Sequence, residues 1–136
     1  MENISFRAWD KDHKYMEYTD KNLIVSFGDN GNVDATDLSN IYSTCNGMQN
    51  FELMQSTGLK DKNGTEIYEG DVVALKYPYD KRIKTKGSIV WDRYKSCFGI
   101  SMKETTERYE LYRITAENYL TVIGNKYQHP ELLEGE

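Results

Sequence analysis

The chain has 136 residues, 29% of them charged, and a formal net charge of −5. A chain of this length can bury a core of its own without disulfide or metal, and its acidity excludes the strongly basic footprint of a general polyanion-coating protein. No stretch approaches the roughly 20 apolar residues of a membrane helix, and Cys45 and Cys97, the only cysteines, form no CxxC pair.

The opening residues lack the basic region and apolar core of a secretory leader. The expectation is a cytoplasmic protein with two reduced thiols and no membrane partner. Eleven tyrosines exceed ordinary usage; tyrosine suits strands and half-buried sites where the ring packs and the hydroxyl stays wet.

In chain order, ISFRAW (4–9) alternates, with Ile4, Phe6 and Ala8 on one side and Ser5, Arg7 and Trp9 on the other. That is the two-residue period of a strand. The polar DKDHK (10–14) turns the chain and YMEYT (15–19) returns it, so residues 4–18 read as a β-hairpin. NLIVSF (22–27) is a third short strand, and GDNGN (28–32) must turn, because Asn, Asp and Gly tolerate positive φ. Residues 33–50 follow neither period and read as loop or one helical turn. Residues 1–55 therefore form an N-terminal hairpin and loop subdomain. The first 50 residues hold eight acids and four bases, and the rest hold fourteen and thirteen.

TGLKDKNGTEIYEGDVVALKY (57–77) concentrates turn chemistry around Gly58, Gly64 and Gly70. Asn63-Gly64 supplies the left-handed positions of a tight hairpin turn. Ile67 and Tyr68 then pack inward or along an edge. Gly70 permits a backbone angle other residues resist, and Asp71 bonds neighbouring backbone N–H groups to fix the corner. These five polar and glycine positions, Gly58, Asn63, Gly64, Gly70 and Asp71, are architecture rather than chemistry.

Five β-like runs follow: DVVALKY (71–77), GSIVWD (87–92), SCFGISM (96–102), YELYRIT (109–115) and YLTVIGN (119–125). Turn signals separate them. TAEN (115–118) reads as a short helical turn before the last strand. The fold class is mainly β, a β-rich α+β chain with few short helices: the N-terminal hairpin plus a five-stranded SH3-like barrel in residues 56–136, together one compact unit. An open sheet and an oligonucleotide-fold barrel are the rivals; the latter commonly carries a longer helix between its third and fourth strands than any legible here.

Three blocks carry a family resemblance. FRAWD (6–10), LMQSTGLKDKNGTEIYEGDVV (53–73) and VIGNKYQHPELL (122–133), in that order, resemble the YopX family of phage and prophage proteins. The resemblance implies a small phage-encoded accessory protein, β-rich and oligomeric. It brings no activity, substrate or catalytic residue. Nothing transfers to Ser56 or residues 19–50, where the family varies.

The residues themselves offer little chemistry. His13 sits in a polar turn, and His129 precedes PELL, where proline suits the first turn of a short helix. Neither has companions at zinc-ligand spacing. No GxSxG elbow or Cys-His signature pairs a nucleophile with a base. Asp61, Asn63 and Glu66, like Asp29, Asn30, Asn32 and Asp34, carry oxygens but not the twelve-residue calcium-loop spacing. No glycine-rich phosphate loop is present. No catalytic, cofactor or metal residue is expected, and the chain does not read as an enzyme.

One run stands out. LKYPYDKRIKTKG (75–87) holds Lys76, Lys81, Arg82, Lys84 and Lys86 with Tyr77 and Tyr79 interleaved, and Trp91, Arg93, Tyr94 and Lys95 follow. Cations neutralise phosphates and aromatic faces stack on unpaired bases, so Lys76, Tyr77, Tyr79, Lys81, Arg82, Lys84, Lys86 and Trp91 are the candidate nucleic-acid contacts. An isolated charge run is more often a solvated loop guarding a sheet edge. Taken with what the family resemblance implies, the favoured function is a non-enzymatic, homo-oligomeric interaction module that binds a host or phage macromolecule, a protein ahead of nucleic acid. Nucleic-acid binding through 76–95 is the alternative, and an enzyme the weakest reading.

Overall fold

The computed structural model describes residues 4–38, 48–76, 85–103 and 108–133. They form eleven strands, one α-helix and a closing 3₁₀ turn, so the fold is mainly β. The chain divides into two compact units, Met1–Gln55 and Ser56–Glu136.

In the first unit, β1 (Phe6–Asp10) and β2 (Tyr15–Tyr18) form the hairpin read from the sequence. The Asp10 carboxylate holds its turn by accepting the N–H groups of Asp12 and His13, both at 3.0 Å. The first half of β5 (Phe51–Lys60) pairs with the other side of β1, from Phe6↔Gln55 to Asp10↔Phe51. β1 does not sort into a wet and a dry face: Arg7 is 3% exposed and Ala8 0%.

β3 (Leu23–Phe27) and β4 (Val33–Asp37) make a separate two-stranded hairpin. Of the stretch 33–50, read as loop or helical turn, residues 39–47 lie outside the described residues, and β4 corrects the expectation over residues 33–37. Its apolar alternation rests on Val33 and Ala35 with aspartates at 34 and 37, a composition that weakens any strand signal. Pairing decides instead: Ala35 lies opposite Val25 and is 1% exposed. The core of this unit joins Ala8, Leu23, Ala35 and Met48 to Tyr15, Val25, Phe51 and Leu53.

In the second unit, the last half of β5 pairs with β6 (Glu66–Tyr68) across a register shift between Ser56 and Lys60, where Gly58 has φ of +78°. Asp61 donates its N–H to Thr65 O at 2.9 Å, and Gly64 donates to Asp61 O at 3.0 Å. This closes a three-residue loop, not the two-residue turn that Asn63-Gly64 suggested. Only Gly64 is left-handed, at φ +84°. Asn63 stays at negative φ because Asp61 Oδ1 takes its N–H at 2.9 Å and holds a right-handed turn ahead of the glycine.

β7 (Asp71–Leu75), β8 (Thr85–Asp92), β9 (Cys97–Met102), β10 (Arg108–Glu110) and β11 (Leu120–Asn125) form one antiparallel sheet in the order β10-β9-β8-β7-β11. Four of the five expected runs keep their extents within a few residues. The run 109–115 is corrected: β10 ends at Glu110, and α1 spans Arg113–Tyr119. Ile114 and Thr115 are β-branched and favour the strand reading. Burial of Ala116 and Leu120, with Tyr119 packed on the same core, makes the helical spacing win. That core gathers Ile67, Val73, Leu75, Ile89, Ile100 and Met102 under α1. β8 lies close on it at Gly87, where an added methyl would stand 2.7 Å from Ile100 Cγ2. No helix among the described residues is long and apolar enough to cross a membrane.

Candidate functional site

The turn block is a brace within the second unit. Gly70 has φ of +88°; its N–H donates to Ile89 O at 2.8 Å and its carbonyl accepts from Lys126 N–H at 3.0 Å. One residue thus ties β8 to the segment after β11, in a conformation that glycine adopts without steric cost. Asp71, 2% exposed, accepts the Tyr68 N–H at 2.7 Å and shapes the corner. These hydrogen bonds of Gly70 and Asp71 all run to backbone groups.

The basic run is divided. Tyr77, Tyr79, Lys81, Arg82 and Lys84 lie outside the described residues. Lys76 and Lys86 sit at one end of the β7–β8 pair, where Ala74 opposes Lys86. Trp91 lies five residues along β8, roughly 17 Å away, and on the opposite face. Its ring packs edge-on against Phe98, 5.0 Å between centroids, and remains 47% exposed. The fold therefore keeps Lys86 and Trp91 apart rather than building one stacking patch from them. Arg93 lies over the Tyr94 ring at 5.3 Å, in the β8–β9 turn that Asp92 closes by accepting the N–H of Tyr94.

A different set of residues surrounds an open cavity of about 440 Å³ in the second unit. Leu75 and Ile100 supply its apolar lining; Arg108, Tyr109 and Glu110 of β10 line it, with Tyr112 and Thr115 from the start of α1 and Lys95 from the β8–β9 turn. The Tyr112 hydroxyl donates to Glu110 Oε2. Lys95 Nζ stands 3.7 Å from Glu110 Oε1. The Glu110 hydrogen bond, and then its charge, push the Tyr112 phenol above its usual pKa. Glu110 is thus engaged twice, whereas Arg108 has no carboxylate partner among the described residues. Tyr109 is 49% exposed and Tyr112 59%. The lining holds no histidine or cysteine, and no metal-ligating cluster occurs among the described residues. The arrangement offers aromatic faces, a hydroxyl and a cation, groups suited to binding.

Sequence reasoning missed this site because YELYRIT (109–115) reads as an ordinary strand. The available signal was the mixture of tyrosine and both charge signs in that run. His13 and His129 are likewise structural: His13 Nδ1 lies 3.1 Å from Asp10 Oδ2, and His129 Nδ1 accepts the Asn125 N–H at 3.2 Å ahead of the Pro130–Leu132 turn. Cys97 is a half-buried free thiol, and Cys45 lies outside the described residues.

Two mainly β units, the second built on a glycine-braced five-stranded sheet, define the class of small β protein to which this molecule belongs. Within that class the chain belongs to the YopX family, whose model, described as YopX protein, matches residues 5–134. The crystal structure of protein EF1440 from Enterococcus faecalis is similar at 26% identity and a TM-score of 0.60, over 97% of this chain and 99% of that one. Protein yopX from Bacillus subtilis has the same fold, at 24% identity and a TM-score of 0.66 over 97% of each chain. No curated protein matches the chain. Membership confirms the resemblance read from the three sequence blocks and adds no activity to it.

Proposed function

We propose that this member of the YopX family is a non-enzymatic interaction module that engages a protein partner through the cavity of its second unit. The observation that carries this reading is the pair of half-exposed tyrosines, Tyr109 and Tyr112, flanking an open volume of about 440 Å³. Tyrosine and arginine are the residues that recognition cores favour, and the volume lies in the range of binding clefts. Glu110 is already engaged by Lys95 and Tyr112, so Arg108 gives the rim a positive bias toward an acidic segment. The family resemblance supports an accessory role in phage, exerted in the cytoplasm of the bacterial host by a homo-oligomer. The meander of β7 to β10 with β11 beside β7 supports an SH3-like layout for the second unit.

Selection from a random peptide display library tests the reading, with enriched peptides titrated into the labelled full chain by NMR. Amide shifts should concentrate at Arg108, Tyr109, Tyr112 and Thr115. A Tyr109→Ala/Tyr112→Ala variant should retain its melting temperature and lose the interaction. Enriched peptides that shift other residues, or that bind the double variant unchanged, would refute it.

The nucleic-acid alternative draws support from Lys76 and Lys86, which flank the basic run at one end of the β7–β8 pair. Salt-dependent binding of a single-stranded oligonucleotide, lost in Lys81→Ala/Arg82→Ala/Lys84→Ala, would favour it over the protein partner.

A further inference from the structure

β10 lies at the edge of the five-stranded sheet, with β9 as its sole neighbour among the described strands. Its register is Arg108↔Ser101, Tyr109↔Ile100, Glu110↔Gly99, and Leu111 continues the ladder by donating its N–H to Phe98 O at 3.0 Å. In an antiparallel ladder, residues that bond the neighbour alternate with residues that do not. Leu111 and Tyr109 turn their main-chain groups toward β9. Arg108 and Glu110 therefore turn theirs outward, and no described residue pairs with those outward groups. An edge with free N–H and C=O groups is a template for another strand.

The side chains select which strand. Three residues centred on Tyr109, with a cation before it and an acid after it, complement themselves when reversed. A two-fold axis through Tyr109 sets Arg108 of each copy directly opposite Glu110 of the other. The pair exchanges two main-chain hydrogen bonds, twice over the interface, and places guanidinium beside carboxylate. Glu110 can accept this contact as well as those of Lys95 and Tyr112, because a carboxylate offers about four acceptor sites. The two Tyr109 rings meet across the axis as a close, non-hydrogen-bonded pair, an arrangement that stabilises aromatic partners. A partner strand of any other composition would need its own matching charges; a second copy has them by construction.

We infer that β10 is a dimerisation strand, pairing antiparallel with β10 of a second copy through Arg108–Glu110 contacts on either side of Tyr109. The two sheets then run on into one, and the two cavities lie side by side across the axis. The inference goes beyond the partner-binding reading and draws on Arg108 and Tyr109 of the same cavity rim, so each is judged by its own readout: oligomeric state here, peptide binding there.

Charge reversal tests it on the full chain. Light scattering should show a dimer for the parent protein and monomers for Arg108→Glu and for Glu110→Arg. The double variant Arg108→Glu/Glu110→Arg should dimerise again. Mixing the two single variants should also give a dimer, because the two acids of the Arg108→Glu copy then face the two arginines of the Glu110→Arg copy. Each single loss should exceed about tenfold in dissociation constant. A second measurement does not depend on those variants folding. Cα atoms of a non-hydrogen-bonded antiparallel pair stand at about 4.5 Å, within disulfide reach, so Tyr109→Cys should oxidise to a 109–109 linked dimer identified by peptide mass. A parent monomer overturns both this interface and the expectation of an oligomer. An oligomer that ignores the charge reversals and gives no 109–109 link overturns the interface alone; the partner-binding reading is then decided by peptide titration of the parent protein.

Discussion

Asp61 and Val122 stand 61 residues apart in the chain and are joined by one hydrogen bond, the Val122 N–H donating to Asp61 Oδ2 at 2.8 Å. The other oxygen of the same carboxylate, Oδ1, accepts the N–H groups of Asn63 and Thr65, each at 2.9 Å. Asp61 is 3% exposed. A single buried side chain thus closes the β5–β6 loop and fastens it to the strand that ends the sheet.

Asp61→Ala leaves three N–H groups without their acceptor. Asn63 and Thr65 are exposed and their N–H groups can turn to water, so most of the cost falls on the half-buried Val122 N–H and the collapsed loop, and destabilisation of roughly 1–3 kcal/mol is expected. Asp61→Asn retains one carbonyl oxygen and should cost about half as much. Urea unfolding measures both. Equal stability of Asp61→Ala and the parent protein would remove the brace from this account.

Gly70→Val should destabilise by roughly 1–3 kcal/mol, because a β-branched residue resists positive φ. The cause is the φ of +88°, held by bonds to Ile89 and Lys126 on either side. Gly70→Ala should cost less, about 1–2 kcal/mol. A valine variant that unfolds at the parent denaturant midpoint would contradict this reasoning.

Gly87→Ala acts by space and not by angle. The new methyl would stand 2.7 Å from Ile100 Cγ2 and 3.1 Å from Ser101 O. One of these is backbone, in the adjacent strand, so the core must shift, at about 1–3 kcal/mol. Thermal unfolding should show the loss, together with amide shift changes at Ile100 and Ser101. A stabilised alanine variant would mean that β8 and β9 separate there at no cost.

Tyr15 links the stability of the first unit to alkaline pH. Its hydroxyl donates to Asp37 Oδ2 at 2.5 Å. Burial, then that hydrogen bond, then the charges of Asp37, Asp10 and Glu17 hold its pKa above the usual value. A raised folded pKa favours the protonated phenol in the native state. This stabilisation is complete below the unfolded pKa of about 10 and is lost as pH rises from there toward the folded value. Chemical unfolding followed from pH 8 upward should show stability falling above about pH 10, and Tyr15→Phe should flatten this fall. At neutral pH the same variant should cost about 1–3 kcal/mol, because Asp37 is buried and loses a donor. The same alkaline slope in both proteins would show that Tyr15 ionises freely in the fold.

What the sequence determined by itself was local. EGD demands a glycine corner because positive φ and a side-chain bond to backbone act within three residues, and Gly70 and Asp71 do so. DVVAL, SIVWD and CFGISM read as strands because alternation and β-branched residues report on their own backbone. The family blocks, too, are strings legible without coordinates. Tertiary structure decided whatever depends on register. VDATD became β4 only because Ala35 found Val25 across the hairpin. The helical turn at TAEN was legible, but its extension back to Arg113, in place of strand, rests on Ala116 being buried in the core while Ile114 stays 73% exposed, a choice of face that β-propensity cannot make. The cavity exists because the β9–β10 ladder carries Glu110 to within 3.7 Å of Lys95, and the brace because the fold returns Val122 to Asp61. Separations of that length leave no trace in a local pattern, since what joins such residues is the burial they share.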